Sequence, residues 1–266
     1  SNSFSFISIV STLAWGIGYF GMPHILVRFM AIEDEKKLTL SRRIASVWVV
    51  IAMTVGIFIG VVGLAMTKAG SLENLADSET VRITGLISRH GVLAALIAGV
   101  ILAGILAATM STSDSQLLTA ASGVSQNILH DFFHIEMDEK KSLFTARLTI
   151  IGISIVSIFM ARNPNSSVFG IVSFAWAGFG ASFGAVMLCA LFWRRSTLAG
   201  ALSGMVAGGV MVFVWKYLVR PLGGALDIYE LLPAFLVSLA VIIIVSLLTN
   251  KPSDEVLAEF DKAAGK

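Results

Sequence analysis

Seven stretches of the chain are almost free of charge, and their lengths set the predicted architecture. They cover residues 4–27, 44–67, 91–129, 142–161, 168–193, 197–215 and 231–250. A helix needs about 20 apolar residues to cross ~30 Å of hydrocarbon, so each stretch predicts a membrane-spanning helix. The third is longer than a bilayer requires. Between the spans the polar segments are short. The longest outer one, 69–90, is expected to hold a short surface helix, and residues 251–266 form a polar tail expected to be partly helical. This pattern predicts an all-α, polytopic membrane helix bundle lodged in a lipid bilayer, with no room in the tail for a soluble catalytic domain.

Two spans break the apolar pattern. The third carries Leu106-Ala107-Ala108-Thr109-Met110-Ser111-Thr112-Ser113-Asp114-Ser115-Gln116 in its inner half. Hydroxyls, an amide and a carboxylate are costly in hydrocarbon, and such residues mark functional sites by default. On a helix Ala108, Ser111 and Thr112 share one face, being three and four apart. A carbonyl and two hydroxyls converging there suit a small hard cation, which prefers oxygen ligands. Equally, Ser and Thr bond back to the preceding turn or join neighbouring helices. Asp114 is expected to serve a structural or pathway role rather than to ligate the ion directly.

The first span contains Trp15-Gly16-Ile17-Gly18-Tyr19-Phe20-Gly21-Met22-Pro23-His24. Three glycines weaken a helix, and proline removes one of its hydrogen bonds. Freed backbone groups are tolerated in a membrane only against protein or a wet cavity, and transporters use such breaks at their binding sites. Trp15 and Tyr19 are four apart and, on a continuous helix, wall a pocket for a small, partly apolar solute. The plainer reading is a proline kink with interfacial aromatics.

Composition narrows the class. Hydrophobic residues make up 56% of the chain and charged residues 14%, against about a quarter charged in soluble domains. The net charge of +2 is small, and its placement matters more than its size; no nucleic-acid partner is expected. Cys189 is the only cysteine and is read as a buried, inert thiol. Of the 19 basic residues, 13 fall in one set of loops and 6 in the other if the first span ends inside. That bias puts the start of the chain outside and the tail in the cytoplasm. Gly56 with Gly60, Gly180 with Gly184, and Gly200, Gly204 and Gly208 have the spacing of close helix packing. Trp48, Trp193 and Trp215 are read as interfacial anchors near helix ends. The chain begins at Ser1 and enters a span almost at once, so an amino-terminal part is expected to be absent. A secondary transporter fits these features, as does a membrane sensor or receptor module. A channel fits less well, for no filter-like loop is visible, and no enzyme chemistry is implied.

Four blocks carry a family resemblance: Trp15–Met30, Ala107–Leu118, Ala161-Arg-Asn-Pro-Asn165 and Val172-Ser-Phe-Ala-Trp-Ala-Gly-Phe-Gly-Ala181. Together they resemble the carboxy-terminal half of the solute:sodium symporter family, in its proline-type branch. The resemblance covers nearly the whole chain, although the Ser-Thr motif is shared across the family. It implies a leucine-transporter-like fold of two inverted five-helix repeats with further helices around them. The seven spans correspond to the last seven of thirteen: the second inverted repeat plus peripheral helices, with the amino-terminal half of the transporter absent. The implied activity is Na⁺-coupled symport of L-proline into the cell across the plasma membrane, with the sodium ion and L-proline as partners. Another solute, such as pantothenate or a betaine-type osmolyte, and a transporter-like sensor remain as alternatives. By motif, the resemblance implies that the Ala108 carbonyl and the Ser111 and Thr112 hydroxyls bind sodium. It likewise assigns Trp15, Tyr19 and Pro23 to the substrate site, and makes the helix bearing Phe174 and Trp176 the one that closes over substrate. Asp114 is not among the family's usual sodium ligands.

Overall fold

The computed structural model describes residues 5–34, 36–70, 79–162 and 168–264. Every regular element among them is helical. Six helices are long and apolar enough to cross a membrane, and a bent pair makes a seventh if it counts as one span. The protein is a multi-pass membrane protein. It divides into two compact units, Ser1–Met30 with Ser157–Lys266, and Ala31–Val156.

The first unit opens with helix α1 (Phe6–Ala14), a 3-10 segment (Trp15–Gly21) and helix α2 (Pro23–Met30). The expected break is explicit here. Met22 is extended, at φ −82° and ψ 112°, the conformation that a following proline imposes. Pro23 then occupies the first turn of α2, where its missing N–H costs nothing. The two halves meet at 50°.

In the second unit, α3 (Lys37–Lys68) starts seven residues before the apolar stretch read from the sequence. Hydropathy marks the hydrocarbon layer, whereas the helix runs on through Arg42 and Arg43 into the polar zone. Trp48 accordingly lies well inside α3 rather than at its end. The short helix expected between residues 69 and 90 is α4 (Glu79–Ile87), while residues 71–78 lie outside the described residues. Gly91, at φ +105°, turns the chain into α5 (Val92–Ser122) with a conformation that other residues resist. A π-helical segment (Gly123–Phe132) prolongs α5, giving 41 residues. At 1.5 Å per residue that is about 60 Å, roughly twice the hydrocarbon thickness. Helix α6 (Glu139–Ala161) follows, and Nε2 of Gln126 donates to Oγ of Ser142, tying it to the end of α5.

The rest of the first unit begins with α7 (Val168–Phe179), which passes through a π-helical turn (Gly180–Gly184) into α8 (Ala185–Phe192). Helix α9 (Leu198–Val214) continues as a π-helical segment and a 3-10 turn to Leu222, so the sixth span extends seven residues beyond the sequence reading. Helix α10 (Leu231–Leu248) and the tail helix α11 (Asp254–Ala263) complete it.

Small residues set the packing of this unit. Ala177, Ala181 and Ala185, four apart, are wholly buried. Gly200, Gly204 and Gly208 form a buried stripe on α9 that faces Ser238, Ile242 and Ser246 of α10, at the same spacing. A Cβ on Gly204 would overlap Ile242, and Oγ of Ser238 donates to the Gly204 carbonyl at 2.8 Å. With no lipid–water difference to exploit between apolar helices, this close approach supplies the association. Gly56 and Gly60 behave otherwise. Nothing lies within 4 Å of a Cβ built on either, so the packing role read from their spacing is not seen among the described residues.

Candidate functional site

The broken helix builds an aromatic cluster within the first unit. The indole of Trp176, on α7, lies where a Cβ on Gly18 would be, and its Nε1 donates to the Trp15 carbonyl at 3.0 Å. Only glycine at position 18 admits that indole. The Trp15 and Trp176 rings stack at 5.4 Å and 16°, and Trp15 also stacks on Phe169 at 5.4 Å. Tyr19 meets Trp176 edge-on at 4.8 Å and 84°. Both arrangements are favoured by the ring quadrupole. Trp15 and Tyr19 are thus brought together by a third ring between them, not by sharing one face of a continuous α-helix. The 3-10 winding of Trp15–Gly21 removes that shared face. Tyr19 remains 49% exposed, while Trp15 and Pro23 are half-buried. Pro23 lies beyond the bend, at the head of α2.

The crossing beneath this cluster is backbone on backbone. A Cβ on Gly180 would come within 2.7 Å of the Gly18 Cα, and one on Gly21 within 2.9 Å of both the Gly180 Cα and the Gly184 nitrogen. The two aromatics singled out on α7 also separate. Trp176 faces the broken helix, whereas Phe174 packs edge-on against Phe213 of α9 at 5.2 Å. Nothing in the sequence alone distinguished them.

The hydroxyl-rich stretch lies in the second unit, near the middle of α5. Ala108, Ser111 and Thr112 all lie on exposed helix surface. Oγ1 of Thr112 donates to the Ala108 carbonyl at 3.2 Å, so two of the three candidate oxygens are adjacent. The pattern is general along this helix: Thr109 bonds to Ile105, Ser115 to Ser111 and Thr119 to Ser115, each to the carbonyl four residues back. The bond back to the preceding turn is therefore present. Oγ1 of Thr112 keeps its lone pairs when it donates, whereas the Ala108 carbonyl accepts both this hydroxyl and the backbone N–H of Thr112 within α5, which leaves the hydroxyl the freer acceptor. The cluster is neutral, apart from Asp114 two residues on, which is exposed. Three neutral oxygens fall short of the ligand count of a dehydrated hard cation.

A multi-pass helical protein with a broken, aromatic-lined span and a hydroxyl cluster on a second span has the parts of a secondary transporter. The chain belongs to the sodium:solute symporter family, whose model matches residues 2–208. Its sequence is 38% identical over 262 residues to the sodium/proline symporter of Haemophilus influenzae, covering 97% of this chain and 51% of that protein. It is 40% identical over 268 residues to the sodium/proline symporter of Staphylococcus aureus, covering 97% of the chain and 51% of the relative. The high-affinity proline transporter PutP of Bacillus subtilis is 40% identical over 259 residues, covering 97% and 53% respectively. The chain thus spans about half the length of the curated relatives it matches. No solved structure matches it.

Proposed function

We propose that this chain carries one half of the binding machinery of a Na⁺-coupled L-proline symporter that works by alternating access. The observation that carries the proposal is the similarity to sodium/proline symporters at about 40% identity across 97% of the chain. The geometry supports it at two places. Trp15, Tyr19 and Pro23 on the broken helix, with Trp176 against the first two, present apolar ring surface suited to a pyrrolidine ring.

On α5 the Ala108 carbonyl and the Ser111 and Thr112 hydroxyls supply part of a sodium shell. The remaining oxygens come, in this reading, from the portion of the relatives that this chain does not span. Sodium acts by differential binding: it favours the outward-open state that takes proline, and the affinity of each ligand rises with the other bound. Inward sodium movement supplies about 2.3 kcal/mol per charge per 100 mV of membrane potential, plus its concentration term. The loop charges favour a cytoplasmic tail.

The test is proline uptake against sodium concentration in cells expressing the protein. Thr112→Val keeps the β-branch and deletes the oxygen, and Thr112→Ser restores it. The half-saturating sodium concentration rises at least about tenfold for the valine variant, because a lost ligand to a dehydrated ion is worth more than an ordinary hydrogen bond. Serine returns it toward the starting value. Ser111→Ala acts in the same direction, and the pair is less than additive, since both damage one site. An unchanged sodium curve in Thr112→Val, with normal expression, places the ion elsewhere and leaves the hydroxyls as back-bonded helix surface.

A further inference from the structure

The turn between α9 and α10 holds a charge cluster that neither proposed site uses. Glu230 is 1% exposed. Nη1 of Arg220 donates to its Oε2 at 2.9 Å, and Nζ of Lys216 lies 3.8 Å from its Oε1. Arg220 also donates through Nε to Asp227 at 2.9 Å. The Trp215 indole donates to the Ile228 carbonyl at 3.2 Å. Burying a carboxylate is costly, and even good pairing returns little net stability. The effect of the cluster is therefore geometric: it holds residues 215–230 in one conformation.

Tyr229 is the residue so held. It is 8% exposed, its hydroxyl donates to the Ser173 carbonyl at 2.6 Å, and its backbone N–H donates to Oγ of Ser11 at 3.0 Å. Its ring stacks on Trp15 at 5.9 Å and 16°. Burial pushes the phenol above its ordinary pKa, so it remains a protonated donor. One side chain and its amide thus touch α1, α7 and the aromatic ring between them.

We infer that Tyr229, clamped by Glu230 and its two cations, is a positioning residue of the aromatic site that fixes the plane of Trp15 and the seat of α7 against α1. The inference rests on the reading of Trp15 as a substrate-site residue. Without the phenol bond, α7 loses a fixed point within three residues of Trp176. Without the ring, Trp15 loses one of its stacking partners and gains freedom to tilt. Either change weakens proline binding without touching a sodium ligand.

The experiment measures proline uptake, with proline and sodium varied separately, in cells expressing Tyr229→Phe, Tyr229→Ala and Trp15→Ala, with each rate normalised to the protein in the membrane. The expected result is a half-saturating proline concentration raised about three- to tenfold in Tyr229→Ala and less in Tyr229→Phe. The half-saturating sodium concentration measured at saturating proline and the maximal rate per molecule stay in place. A residue that only supports folding lowers abundance or maximal rate and leaves the proline half-saturation unchanged, and that result overturns the inference. A shift in Trp15→Ala with none in the two Tyr229 variants also overturns it, while the substrate-site reading stands. No shift in any of the three removes the substrate-site reading, and the positioning role with it. Should Tyr229→Ala fail to reach the membrane, Tyr229→Phe decides, since it keeps the ring and volume.

Discussion

Adding a single methyl group at Gly18 tests the aromatic site more sharply than removing a ring. A Cβ there overlaps Nε1 and Cδ1 of Trp176 and comes within 2.9 Å of its Cε2. The indole must leave its seat. It then gives up the hydrogen bond to the Trp15 carbonyl and its ring contacts with Trp15 and Tyr19. At about 1 kcal/mol for each of the three, the loss is about 3 kcal/mol. Replacing glycine offsets up to about 1 kcal/mol of that by reducing the freedom of the unfolded chain. The net cost is about 2 kcal/mol. Gly16 provides the internal control, two residues earlier in the same 3-10 segment, with nothing within 4 Å of a built Cβ. Gly16→Ala should be neutral or slightly stabilising. The assay is thermal unfolding of the two purified variants in one detergent, followed by tryptophan fluorescence, with proline uptake alongside. Gly18→Ala should unfold several degrees lower and have a weakened proline half-saturation. Equal behaviour of the two alanines would refute the placement of Trp176 over Gly18.

Two further predictions follow from packing and charge. Gly204→Leu drives a side chain into Ile242 and should reduce the amount of folded protein severely, whereas Gly60→Leu, at a position where a built Cβ meets nothing within 4 Å, should be tolerated; the check is fluorescence-detected size exclusion of both. Single cysteines at Lys36 and Lys140, in a Cys189→Ser background, should react with an impermeant maleimide only after permeabilisation. Labelling at both positions in intact cells would reverse the proposed orientation.

What the sequence disclosed depended on the kind of signal. Long charge-free runs and a proline after three glycines are one-dimensional signals, and the corresponding helices and bend are present. Helix ends were less legible. Charged residues such as Arg42 stop a hydropathy window but not a helix, and π-helical turns lengthen α5 and α9 with no composition cue. Phe174 and Trp176 are two apart in one apolar run, and only tertiary packing decides which faces the broken helix. In the sequence Lys216 and Arg220 count only among the 19 basic residues. Their partners Asp227 and Glu230 lie across the turn, and opposite charges bracketing a short turn were the available signal. The glycine spacings on α3 and α9 look alike in the sequence, yet only the α9 set is in contact, because spacing permits close approach without supplying a partner.

The backbone crossing of the broken helix and α7 has a consequence for second-site genetics. Gly21 and Gly184 face one another, but alanines at the two positions should differ in whether they can be suppressed. At Gly184 the nearest atom to a new Cβ is the Phe235 ring at 3.2 Å, with backbone no nearer than 3.5 Å. Trimming Phe235 to a smaller residue can make that room. At Gly21 the new Cβ meets only the Phe179 oxygen, the Gly180 Cα and the Gly184 nitrogen. No side chain there can be shortened, and the opposing residues at 180 and 184 are already glycine. A defect at position 21 therefore has no local suppressor of the large-to-small kind, and revertants should restore glycine or map to changes that shift whole helices.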